Sequence, residues 1–174
     1  KKEDDDDADT VDARYTGKGI INIGSTKEFD VKTFVSETSN SLPQHDWDLI
    51  KKLDSFSFDF GGMVPVRDMA GNISFKTPDE VKKLKGGVID LSGLNFEAIE
   101  NLPTFEDDCE GVKLDLSGCT FAPTKTLDAV LGNFSKDSKF KEIIVTEYPT
   151  DTLHFKHGQS FSFIPSYPMY KSNG

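Results

Sequence analysis

Asp59, Asp90 and Asp115 each stand between two large apolar residues: Phe58 and Phe60, Ile89 and Leu91, Leu114 and Leu116. Alternation of this kind describes a strand with one buried face, and it puts each carboxylate on the opposite face. If the three strands lie side by side in register, the carboxylates form a column with ~4.8 Å between neighbours. Two like charges at that spacing repel by about 1 kcal/mol in water, and several-fold more at an effective dielectric near 20. Such a column needs relief from a nearby cation, a bound metal ion or a raised pKa. Lys113, two residues before Asp115, is the nearest cation in sequence, and Ser92 and Ser117 add hydroxyls two residues after Asp90 and Asp115. Asp59, Asp90, Ser92, Lys113, Asp115 and Ser117 are therefore the candidate ligand-binding residues. The competing expectation is a solvated polar face, or carboxylates bonded to local backbone.

Other constellations carry less. Glu106, Asp107, Asp108 and Glu110 make an acidic loop, but they lack the alternating oxygen positions of a calcium loop. His45, His154 and His157 have no carboxylate or thiol at zinc-site spacing. Gly17-Lys18-Gly19 has Asn22 where a phosphate loop has its third glycine. There is no serine elbow, no paired-histidine helix and no Cys-x-x-Cys. No cofactor is expected, no catalytic residue is assigned, and the metal question stays open. A two-carboxylate hydrolase acting on surface glycans remains the alternative in another class, because 30 acids offer many spatial pairs. Cys109 and Cys119 flank a strand-like segment that holds them too far apart to bridge, so both are expected as free thiols, with Cys119 buried.

The elements that position these residues repeat. Val88-Ile89-Asp90-Leu91-Ser92-Gly93-Leu94-Asn95-Phe96 recurs 25 residues later as Lys113-Leu114-Asp115-Leu116-Ser117-Gly118-Cys119-Thr120-Phe121. Ser57–Gly61 is a weaker copy before the pair, and Glu142–Thr146 another after it. Helix signals lie between. Thr77-Pro78-Asp79-Glu80 has the form of a capping box, with Gly86 as a helix stop. Asn95 can cap a short helix through Ile99 and Leu102, ended by Pro103. Leu127, Val130, Leu131 and Phe134 form a stripe at helical spacing, as do Trp47, Ile50 and Leu53 after Pro43. Met63–Val66 and Ile73–Phe75 predict a hairpin about Ala70-Gly71-Asn72. Gly19–Ile23 and Phe161–Ile164 are further strand candidates.

Strand, turn and helix at this spacing make a unit that must stack on its neighbours to bury its apolar face. Ile89-x-Leu91-x-x-Leu94-x-Phe96 and Leu114-x-Leu116-x-x-Cys119-x-Phe121 resemble the strand and turn of a leucine-rich repeat, with Cys119 at the Asn/Cys position. The leading Leu of that pattern falls at Gly86 and Gly111, and Leu94 stands where Asn or Cys is usual. The resemblance implies an α/β fold: a short leucine-rich-repeat-like solenoid with a parallel sheet, a helical convex side and irregular β caps. Residues 14–54 are then an N-terminal cap of strand plus helix, 55–148 the repeat region and 149–174 a C-terminal cap.

The chain has 174 residues with 14 Phe, enough for a core of aromatic layers without metal or disulfide. Its formal net charge of −10 argues against a nucleic-acid partner and against an anionic membrane surface. The tract Lys1-Lys2-Glu3-Asp4-Asp5-Asp6-Asp7 begins a self-repelling stretch, so residues 1–13 are expected to be a disordered acidic tether. The tract resembles the Lys-then-acidic stretch after the lipidated cysteine of surface lipoproteins in Bacteroidetes-type bacteria. That resemblance implies an exported protein at the cell surface or outer membrane, attached only through an N-terminal lipid anchor. The expected role is non-enzymatic binding of an extracellular protein or glycan by a monomer, with a structural accessory domain as a further alternative.

Overall fold

The computed structural model describes residues 28–53, 57–150 and 156–165. Gly17-Lys18-Gly19, the candidate strand at Gly19–Ile23, the acidic tract and His154 lie outside them. The fold is mixed α/β with two sheets. Three short strands, β1 (Glu28–Asp30), β3 (Ser57–Asp59) and β7 (Ile99–Glu100), form an all-parallel sheet in the order β1-β3-β7. The larger sheet adds β2 (Leu42–Pro43), β4 (Val64–Arg67), β5 (Asn72–Lys76), β6 (Val88–Asp90), β8 (Cys109–Leu116), β9 (Phe140–Val145) and β10 (Phe161–Phe163). Its order is β10-β9-β8-β6-β4-β5-β2. The four strands β6, β8, β9 and β10 run parallel to one another, and β4, β5 and β2 continue the sheet antiparallel beyond β6.

The repeat is a spatial register. Val88, Ile89 and Asp90 lie opposite Lys113, Leu114 and Asp115. The same 25-residue offset continues past the strands: Asn95 bridges Thr120, and the Phe96 and Phe121 rings stack with centroids 5.4 Å apart. The later copy also holds, since Leu114, Asp115 and Leu116 face Ile143, Ile144 and Val145 of β9. Inward residues Ile89, Leu114 and Ile143 are fully buried, as period-two alternation requires.

Among the described residues, four helices pack against the sheets. α1 (Val31–Glu37) is capped by the Asp30 carboxylate, and α2 (Gln44–Lys51) buries Trp47 and Ile50. α3 (Pro78–Val81) starts at the Thr77–Glu80 capping box, and α4 (Leu127–Phe134) buries Leu127, Val130, Leu131 and Phe134 behind a Thr126 cap. Phe29, Phe34, Trp47, Phe58, Phe60 and Phe75 fill the space among β1, β3, β5 and the first two helices, with ring centroids 5.5–6.4 Å apart. Phe105, Phe134 and Phe140 make a second aromatic layer beneath α4. The expected hairpin is β4–β5, and its turn uses Gly71 at φ 86°.

Three expectations are corrected. Asp59 is not in the column: β3 belongs to the small sheet, where its neighbours in register are Asp30 and Glu100. The left-handed pair Gly61 (φ 59°) and Gly62 (φ 78°) turns the chain out of that sheet, so β4, not β3, reaches β6. Asn95 caps a single 3-10 turn, Phe96–Ala98, after which Ile99–Glu100 extends as β7; the isoleucine that looked helical is buried in that strand, paired with Phe58 of β3. Helix α3 ends at Val81 rather than at Gly86, and its last N–H bonds are of the tight i−3 kind, Lys83 to Glu80 and Leu84 to Val81.

Candidate functional site

Asp90 sits at the C-terminal end of β6 and is 1% exposed. Burying a carboxylate is costly unless cations and donors surround it, and here they come from three elements. Lys51 Nζ, at the end of α2, donates to Oδ1 at 3.1 Å, and Arg67 of β4 donates to Oδ2 at 2.8 Å. Ser92 Oγ donates to Oδ1 at 2.6 Å and its backbone N–H at 3.2 Å. Lys51 also reaches Ser92 Oγ at 3.1 Å and lies 5.8 Å from the Trp47 ring centre, while Trp47 Nε1–H donates to the Asp90 carbonyl at 3.1 Å. Burial opposes ionisation of Asp90, but Lys51, Ser92 and Arg67 outweigh it and hold the carboxyl below the usual aspartate range.

Asp115 is the register partner of Asp90 and makes the same local turn: Ser117 donates to its Oδ1 through N–H at 2.9 Å and Oγ at 2.7 Å. Among the described residues it has no counterpart of Lys51 or Arg67 within salt-bridge distance. Lys113, the cation expected to relieve the column, instead pairs with Glu142 of β9 at 3.5 Å. The exposed column is thus corrected. It reduces to Asp90 and Asp115, and in Asp90 the positions a cation would take are filled by Lys51 and Arg67. Asp59 accepts from Gly61 N–H at 3.0 Å and Asn101 Nδ2 at 2.8 Å in the other sheet. Ser92 and Ser117 serve their own turns. The network fastens α2 and β4 to the end of β6. Sequence reasoning had no signal for Lys51 and Arg67, which lie 39 and 23 residues from Asp90.

The remaining candidates are structural in their contacts. Asp107 pairs with Lys82 at 3.1 Å, and Asp108 with Lys156 at 2.7 Å. Asp108 also accepts from Lys139 N–H, and its carboxyl is held below the usual range, first by Lys156. No group of three or more His, Cys, Asp or Glu among the described residues is arranged to hold a metal. His45 lies in the first turn of α2 and His157 in an exposed turn. Both thiols are free. Cys109 is buried and pushed up to about 11; Cys119, expected buried, is only partly so, yet its Sγ–H donates inward to the Leu91 carbonyl at 3.0 Å and burial pushes it up to about 12. Neither is poised as a thiolate nucleophile.

A groove of about 730 Å³ runs along β10, walled by Val145, Tyr148, Lys156, His157, Gln159 and Phe163 among others. Tyr148 and Phe163 stack with centroids 4.5 Å apart and planes 4° from parallel, although Tyr148 is 72% and Phe163 44% exposed. Ile164 beside them is 46% exposed. The floor is rigid: the Gln159 side chain accepts from Phe140 N–H at 2.8 Å and donates to the Phe140 carbonyl at 3.1 Å, locking the turn to β9. Ser162 Oγ donates to Glu142. The sequence did not announce the groove. Its one sign was an aromatic residue, Tyr148, immediately before a proline in a turn after a strand.

No helix among the described residues is long and apolar enough to cross a membrane. No protein-family model, no curated protein and no solved structure matches this chain.

Proposed function

We propose that the chain is a non-enzymatic binding domain of an exported, surface-anchored bacterial protein, and that its ligand seat is the groove beside Tyr148 and Phe163. The observation that carries this is the solvent-facing parallel stack of those two rings over a groove of about 730 Å³. Ligand seats are concave, with aromatic walls and a few polar groups at the rim; here Lys156 and His157 supply the rim. Two large aromatic side chains left in water have a cost that a ligand removes.

Three further features support the reading. Among the described residues, the carboxyls of Asp90, Asp108 and Glu142 are held below their usual range, whereas a hydrolytic general acid needs one raised. The 25-residue register favours a short leucine-rich-repeat-like array, a scaffold that presents surfaces. The Lys-then-acidic tract favours a tether at a cell surface, with the body acting as a monomer.

The test is a binding screen of immobilised protein against extracellular glycans and short peptides, run in parallel on Tyr148→Ala. Retention of a ligand by wild type and its loss in the variant is the expected result. Ligands retained equally by both proteins would place the seat elsewhere.

A further inference from the structure

We infer that the groove takes a neutral oligosaccharide, one sugar ring of which lies flat on the outer face of Tyr148; this rests on the binding role proposed above. The Tyr148 ring uses one face against Phe163, and its 72% exposure leaves the other to solvent. Stacking on Phe163 fixes the ring plane before a ligand arrives, which lowers the ordering cost of binding. A fixed, flat π face carries negative partial charge at its centre. The C–H bonds on one side of a pyranose ring are weakly positive and coplanar, and they suit that face. An alkyl side chain of a peptide gains only area there.

The rim fits hydroxyls, which both donate and accept. Lys156 Nζ spends one N–H on Asp108 and keeps donors for a ligand. His157, exposed at the turn, offers a ring donor and a ring acceptor. The Ser162 hydroxyl gives its proton to Glu142 and can still accept. Charge argues for a neutral ligand: the Lys156 ammonium is already matched by Asp108, and the chain as a whole carries −10. A polyanionic glycan would meet an unfavourable field.

The experiment is calorimetric titration of the whole chain with cellohexaose, xylohexaose, mannohexaose and maltohexaose, beside hexagalacturonate and a pool of Pro- and Tyr-containing decapeptides. Wild type, Tyr148→Ala and Tyr148→Phe are compared. A neutral hexasaccharide is expected to bind with a Kd below about 1 mM. Tyr148→Ala is expected to weaken it about tenfold or more, and Tyr148→Phe, which keeps the ring face, by less than about threefold. Binding of only hexagalacturonate or the peptides, still dependent on Tyr148, overturns the neutral-glycan inference and leaves the groove as the seat. No binding by any probe, or binding indifferent to Tyr148, overturns both.

Discussion

Asp90 and Asp115 lie opposite each other on adjacent parallel strands and close the same Asp-x-Ser turn, yet only Asp90 is enclosed by cations. The difference comes from what packs beside each strand. β6 borders the antiparallel strand β4, which supplies Arg67, and α2, which supplies Lys51; β8 pairs in parallel with β6 and β9. One sequence motif thus has two energetic meanings.

Removing the two carboxylates should separate those meanings. Asp90→Ala leaves a buried lysine and a partly buried arginine without their partner, and breaking a buried pair this way costs roughly 3–5 kcal/mol. For a chain of this size each kcal/mol lowers Tm by about 2–4 °C. Asp115→Ala loses the two turn bonds from Ser117 and is expected to cost about 1–2 kcal/mol. Thermal unfolding of both variants checks the ratio; equal losses would contradict the assigned network.

The same carboxylate sets an acid limb. Because the Asp90 pKa is lower in the folded state than its ordinary 3.8, its stabilisation is fully present above that value and is lost as pH falls toward the folded value. Unfolding followed by denaturant below pH 4 should show wild type losing stability more steeply than Asp90→Asn. Parallel curves for the two proteins would deny the shift.

Two glycines at equivalent repeat positions should respond differently to a methyl group. A Cβ on Gly111 would stand 2.3 Å from the Leu84 carbonyl oxygen, whereas one on Gly86 meets nothing within 4 Å. Gly111→Ala must push two backbone segments apart, at a cost of about 1–3 kcal/mol or more. Gly86→Ala should be neutral to within ~0.5 kcal/mol. Chemical denaturation of the pair is the check.

Thiol reactivity offers a fourth check. With Cys109 raised to about 11 and Cys119 to about 12, native protein at pH 8 should react with a thiol reagent far more slowly than unfolded protein. Fast native labelling of either thiol would show that its shell opens.

Much of the architecture was legible because it rests on local patterns. The Thr77–Glu80 box, the α4 stripe, the β4–β5 turn and the 25-residue register each depend on residues near in sequence. Asp59 was misplaced because Ser57–Gly61 resembles the repeat locally, while the Gly61–Gly62 turn that sends it to another sheet acts through backbone handedness. Ile99 was read as helical because a buried apolar residue after a cap suits either a helix or a short strand; pairing with Phe58 decides it. The groove was invisible because Tyr148 and Phe163 meet only after β9 and β10 pair.

The most direct measurement is a backbone-amide chemical-shift map of the isotope-labelled chain titrated with the neutral hexasaccharides. The account predicts that the amides of Tyr148, His157, Gly158 and Phe163 move, while those of Ser92, Asp115 and Ser117 stay still. Shifts centred on Ser92 and Ser117, with the groove silent, would contradict it and return the binding surface to the ends of β6 and β8.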